Sequence, residues 1–183
     1  IQKFMEKNTT HSFDILLLSV PPQFGKSTTV TETLPSWYLG KNPDKKIIIC
    51  GYNEDFAVRF GRRNKEKIQE FGGELFPNCV LADSPCSNVE FETTRKGRCI
   101  SRGILSGLTG NTADLFIIDD PIKNRQEADS ETTRNTIWNE YLNSVRTRIK
   151  PGGKLIVIQT RWHEEDLYGM LAKKEKNVTI INI

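Results

Sequence analysis

Val20-Pro21-Pro22-Gln23-Phe24-Gly25-Lys26-Ser27-Thr28 decides how the rest of the chain is read. Upstream, Phe13 to Val20 is a short apolar run, the pattern of a buried strand. Downstream, Ser27 to Leu39 reads as a helix punctuated by Pro35. A strand that turns tightly into a helix presents unpaired backbone N–H groups and a positive dipole end to whatever sits on the turn, which suits a polyphosphate. Gly25 lets the backbone approach phosphate oxygens, Lys26 has the reach for β- and γ-phosphates, and the Ser27 hydroxyl suits Mg²⁺. Pro22, Gln23, Phe24 and Thr28 complete the expected phosphate-contacting stretch. The general pattern asks for glycine five residues before Gly25; Val20 stands there, and Pro21 and Pro22 stiffen a loop that glycine would leave flexible. Alone, Gly-Lys-Ser also fits an ordinary helix start after a turn.

Working outward, strand and helix patterns alternate. Lys46 to Gly51 reads as a strand and Asn53 to Phe71 as a helix with Asn53 at its N-cap. Val89 to Thr94 and Arg98 to Ile104 flank Lys96-Gly97 as a hairpin. Ala113 to Asp119 is a further buried strand, Asp129 to Ile149 is mostly helical, and Lys154 to Gln159 is another strand. Glu164 to Lys174 reads as a helix and Val178 to Ile183 as a last strand. This order predicts an α/β domain with a mainly parallel sheet flanked by helices on both faces. Ligands of such sheets bind beyond the carboxyl ends of the strands, where each candidate motif falls.

The second motif is Leu115-Phe116-Ile117-Ile118-Asp119-Asp120, an apolar strand ending in paired carboxylates. In phosphoryl transfer the first, Asp119, holds Mg²⁺ together with Ser27, and the second, Asp120, orients the attacking water. Pro121 turns the chain there. The bland alternative is a pair of turn-capping aspartates. The third motif is Gln159-Thr160-Arg161-Trp162-His163, polar residues at another strand tip. Gln159 and Thr160 are candidates to sense the γ-phosphate. Arg161 either contacts phosphate or pairs with Glu164, Glu165 or Asp166, Trp162 is read as a packing or base-stacking residue, and His163 as a residue of the helix start. Phosphoryl transfer also gains from an arginine that neutralises charge in the transition state. Arg102 is taken as the catalytic candidate, with Arg146, Arg148 and Arg161 open as alternatives.

With 183 residues, 37% hydrophobic and 27% charged, the chain suits one globular α/β domain over residues 1–183. A net charge of +3 is too weak to argue for nucleic acid by itself. The basic stretches Arg59 to Lys67 and Lys173 to Lys176 either touch DNA phosphates or are solvated helix faces. Its apolar runs are far too short to span a bilayer, so no membrane partner is expected. Cys50, Cys79, Cys86 and Cys99 form no Cys-x-x-Cys pair, which argues against zinc and for a reducing compartment.

Together, Pro21 to Ser27, Gly107-Leu108-Thr109-Gly110-Asn111-Thr112-Ala113-Asp114 through Asn124, and Gln159 to Leu167 resemble the ATPase domain of viral large terminase subunits, especially those of tailed phages and prophages. The resemblance spans nearly the whole chain in order. It implies a RecA-like P-loop NTPase that binds ATP and Mg²⁺ through the residues above, with Gln159 and Thr160 in the segment coupling hydrolysis to DNA movement. It also implies double-stranded DNA, a portal protein and a small terminase subunit as partners, and a homo-oligomeric ring. The expected location is the cytoplasm of the bacterial host, and transiently the procapsid. Relatives carry a nuclease domain after this one; that domain is expected to be missing here, so no DNA cleavage is expected. This sequence departs from the family at Gln23 or Phe24, where many relatives have Arg or His, and at Asn111, often Arg. Asp120 stands where many relatives use Glu. The adenine-recognising segment would precede Phe13. Two other readings remain: a helicase-type ATPase, which needs a second lobe, and a small-molecule kinase, which needs a lid with clustered arginines.

Overall fold

The computed structural model describes every residue except Thr10 and Thr109. A short helix α1 (Gln2–Glu6) precedes β1 (Phe13–Ser19), and the Gly25-Lys26 turn leads into α2 (Lys26–Val30) and α3 (Leu34–Lys41). β2 (Lys46–Gly51) feeds the long α4 (Glu54–Leu75), followed by β3 (Leu81–Cys86), β4 (Glu90–Thr93) and β5 (Arg98–Gly103). β6 (Ala113–Asp119) leads to α5 (Arg125–Asp129) and α6 (Glu131–Glu140). A π-helical turn (Tyr141–Val145) and the single turn α7 (Arg146–Arg148) then enter β7 (Ile149–Gln159), before α8 (Leu167–Lys174) and β8 (Val178–Asn182).

The strands form one sheet in the order β3-β4-β5-β2-β6-β7-β1-β8. From β5 to β8 all neighbours are parallel, and β3 and β4 close one edge as antiparallel strands. The expected α/β class and mainly parallel sheet are what the chain forms. The continuous apolar runs are explained by burial on both faces. Leu16, Leu18, Ile47, Ile49, Leu115, Ile117, Ile156 and Ile158 meet Val30, Leu39, Phe60 and Ile68 of α2, α3 and α4 on one face. Ile15, Leu17, Ile48, Phe116, Leu155 and Val157 meet Ile137, Tyr141 and Leu171 of the later helices on the other. α4 lies so close to β5 and the β3–β4 connection that a Cβ on Gly61 would fall 2.6 Å from Ser101 Oγ and 2.3 Å from the Asn88 carbonyl oxygen, so only glycine fits there.

Several expected boundaries are corrected. The single helix over 27–39 is two helices, broken between Val30 and Leu34. Pro35 has no N–H to continue the ladder, and its ring crowds the preceding turn. The helix expected from Asp129 to Ile149 is subdivided by the π-helical turn, and β7 begins at Ile149, not Lys154. There the pairing steps from Ala113↔Ile149 to Leu115↔Lys154, so Pro151-Gly152-Gly153 bulges out within the strand. The last helix starts at Leu167, because Asp166 caps it by accepting the Gly169 N–H. β3, rich in small and polar residues, was not anticipated.

Candidate active site

The register brings four strand tips level. Ser19 pairs with Gln159, Asp119 with Ile158, and Gly51 with Asp119. β7 therefore stands between β1, which carries the Pro21 to Gly25 loop, and β6, which carries the two aspartates. In the loop Gln23 and Gly25 both adopt positive φ, 67° and 72°. A Cβ built on Gly25 meets nothing within 4 Å, so the space over the loop is open.

Asp119 continues the alternation of Leu115 and Ile117 and so faces α2. Its Oδ1 accepts from the Ser27 hydroxyl at 3.1 Å and its Oδ2 from the Thr31 hydroxyl at 2.5 Å. Burial pushes this carboxyl up to about 6; the neighbouring Asp120 charge adds to the rise, while the Thr31 and Ser27 hydrogen bonds and Lys26 oppose it. A buried carboxylate raised in this way has a deficit of positive charge that a cation would fill. Asp120 sits at φ 44°, which swings its side chain out of the strand alternation toward β1. Its carboxylate accepts from the Thr160 backbone N–H at 3.0 Å and lies 3.3 Å from Lys26 Nζ. Lys26 Nζ in turn donates to the Thr160 hydroxyl at 2.9 Å.

The structure thus brings Lys26, Ser27, Asp119, Asp120 and Thr160 together. Pro22 to Gly25 and Thr28 flank Lys26 and Ser27 in the same loop and helix start, whereas Gln159 and the candidate arginines do not join the cluster. Gln159 follows the alternation of Leu155 and Val157 into the opposite core, where its Oε1 is buried without a partner among the described residues. Arg102 lies on β5, two strands beyond β6, roughly 10 Å away at the usual strand spacing. Its Nε is buried and likewise without a partner among the described residues. Arg146 pairs with Glu175 at 3.5 Å, and Arg148 Nε donates to the Leu108 carbonyl. Arg161 pairs with Asp166 at 2.9 Å and stacks on the Tyr168 ring. Trp162 is partly exposed rather than packed, and Phe24 is exposed on the loop. His163 Nδ1 accepts the Glu165 N–H just ahead of α8.

Thr31 was missed in the sequence. Its signal was available: it stands four residues after Ser27, the spacing that puts two hydroxyls on one helix face.

The donors fit Mg²⁺ with a nucleotide. Ser27 Oγ and Asp119 Oδ1 are hard oxygens side by side, and no group of three or more His, Cys, Asp or Glu side chains suited to a metal exists among the described residues. Such a site supplies one or two protein oxygens and leaves the remaining positions to phosphate and water, as Mg²⁺ prefers.

The Gly25-Lys26 turn, the acid-tipped strand and the strand between them sit at the carboxyl edge of a mainly parallel, RecA-like P-loop fold. Residues 17–182 match the family model described as terminase large subunit, T4likevirus-type, N-terminal, and the chain belongs to that family. Among solved structures it is similar to the crystal structure of the HK97 bacteriophage large terminase, with a TM-score of 0.60 and 14% identity. That alignment covers 92% of this chain and 35% of the HK97 chain, so this chain spans about a third of that relative's length. The comparison with curated proteins found no match.

Proposed function

We propose that this domain is the ATP-hydrolysing motor of a terminase large subunit and drives double-stranded DNA into a procapsid. The observation that carries this reading is the convergence of Lys26, Ser27, Asp119, Asp120 and Thr160 at the tips of three adjacent strands. Lys26 binds the β- and γ-phosphates, while Pro22 to Thr28 wrap the polyphosphate. Ser27 and Asp119 hold Mg²⁺, which when bound neutralises charge on the phosphate oxygens. Asp120 orients a water on the γ-phosphorus and accepts its proton as the bond to the ADP oxygen breaks. Thr160, bonded to both Lys26 and Asp120, carries the difference between tri- and diphosphate to the Arg161-Trp162-His163 segment.

Since Arg146, Arg148 and Arg161 are engaged elsewhere and Arg102 stands two strands away, the charge-neutralising arginine comes from a neighbouring subunit. This favours a ring on the portal, fed with DNA by a small terminase subunit, inside the bacterial host. The test is steady-state ATP hydrolysis against protein concentration, with and without double-stranded DNA and with Asp120→Asn as the blank. A specific rate that climbs with concentration supports completion of the site in trans. A constant specific rate refutes it, and no rate above the blank refutes the motor reading.

A further inference from the structure

We propose that Thr31 is a positioning residue for the Asp119 carboxylate, and that Asn64 of α4 holds Thr31 in place. The inference rests on the MgATP reading of the site and deepens it.

The two oxygens of Asp119 have different partners. Oδ2 takes the Thr31 hydroxyl inside the protein, where Thr31 is fully buried. Oδ1 stands beside the Ser27 hydroxyl. A carboxylate with one oxygen pinned cannot turn about its Cβ–Cγ bond. Its other oxygen is therefore kept on the Ser27 side, where the metal would sit. Without Thr31 the carboxylate would keep the Ser27 bond on Oδ1 alone among the described residues, and the buried Oδ2 would lose the donor that fixes its orientation.

Thr31 is itself fixed by a gap in the helix ladder. In an unbroken helix its carbonyl would accept the N–H four residues on, and that residue is Pro35, which has none. The freed carbonyl accepts instead from Asn64 Nδ2 at 2.8 Å. Asn64 gives its second amide proton to the Phe60 carbonyl at 2.9 Å, and its Oδ1 accepts the Ser36 N–H at 2.9 Å. Thr33, at the N-cap of α3, makes no side-chain cap, so Asn64 supplies that acceptor from another helix. One fully buried side chain thus closes the end of α2 and the start of α3. The amide orientation follows, because a flipped amide would set NH₂ against the Ser36 N–H and oxygen against the Thr31 carbonyl. Since Gly61 seats α4 tightly on the sheet, the relay from Asn64 through Thr31 to Asp119 starts from a fixed point.

The test reads binding, not turnover. Affinity for a fluorescent ATP analogue is measured in Mg²⁺ and in EDTA for the unmutated chain, Thr31→Val, Thr31→Ala and Thr31→Ser. Thr31→Val keeps shape and removes the hydroxyl; it should lose about tenfold or more of the Mg²⁺-dependent gain in affinity, with affinity in EDTA unchanged. Thr31→Ser restores the donor and should keep the gain. If Thr31→Val does not fold by circular dichroism, Thr31→Ala makes the same comparison. A gain equal to the unmutated chain's in the hydroxyl-free variant overturns the proposal. So does an equal loss in Mg²⁺ and EDTA, which marks a merely structural residue. No Mg²⁺-dependent gain in the unmutated chain overturns the MgATP reading itself, and the proposal with it.

Discussion

A lysine–aspartate pair stands at each end of the β1–β7–β6 strands, and the two differ in burial and in how completely they are satisfied. At the amino end Lys154 and Asp14 are direct register partners on β7 and β1, 2.7 Å apart. Lys154 Nζ also donates to the Lys7 carbonyl and the Thr9 hydroxyl, both at 2.7 Å, and lies 5.2 Å from the centre of the Phe4 ring. All three ammonium protons are used, and both side chains are almost wholly buried. At the carboxyl end Lys26 meets Asp120 at a looser 3.3 Å, and Asp120 keeps 26% of its side chain exposed. The amino-end pair has no spare capacity and serves as a clamp on α1. The carboxyl-end pair has protons and lone pairs left for a ligand. Chemical similarity of two ion pairs therefore says little about role, and residual valence says much.

Four substitutions or conditions sharpen that contrast. Lys26→Ala should reduce ATP turnover at least about a hundredfold, as does loss of one charge-stabilising donor elsewhere, and leave the melting temperature within a few degrees. A Lys26→Ala protein with normal turnover would remove the carboxyl-end pair from the chemistry. Asp120→Asn should cut turnover by about a hundredfold or more while ATP still binds, checked by single-turnover hydrolysis beside equilibrium binding. Lys154→Met should do the reverse. It strands the buried Asp14 charge and should destabilise by about 3–5 kcal/mol, a fall of roughly 6–20 °C in melting temperature, with turnover per folded molecule retained.

The smallest effect is with pH. Burial alone would raise the Asp14 carboxyl, but hydrogen bonds from Lys154 and Thr9 and the charges of Lys154 and Lys7 outweigh it and leave it lowered. A carboxyl lowered by folding stabilises the native state above its unfolded value, about 3.9, and this contribution is lost as pH falls through the folded value. Urea unfolding between pH 5 and 3 should show this loss, and Asp14→Asn should flatten that part of the curve. An unchanged slope in Asp14→Asn would mean other carboxyls carry the acid response.

The strand–loop–helix stretch around Gly25, the acid tip at Asp119 and the alternating order were legible because each is written in local sequence. Apolar runs of strand length and a Gly-Lys-Ser turn need no tertiary knowledge. What stayed hidden depends on strand order and register. Gln159 and Thr160 are neighbours in sequence, yet strand alternation sends Gln159 into one core while Thr160, beyond the strand end, meets Lys26. Arg102 looked equivalent to the other arginines until sheet order put β2 between it and β6's acids. Thr31's place beside Ser27 could be read from helical spacing, but its bond to Asp119, 88 residues away, and its carbonyl's bond to Asn64, 33 residues away, could not.

The placement of β1 between β7 and β8 has a kinetic consequence. Asp14 and its partner Lys154 are 140 residues apart, and the contact between Lys26 and Thr160 spans 134. During synthesis Ile15 to Leu18 therefore find no strand to pair with until β7, more than 130 residues further on, has emerged. Loop-closure entropy is spent before these pairings return anything, which slows folding and leaves an apolar strand exposed meanwhile. A chain lacking β7 leaves β1 without its register partner and Lys26 without Thr160, so it presents a sticky strand and an unassembled Lys26–Asp120–Thr160 cluster.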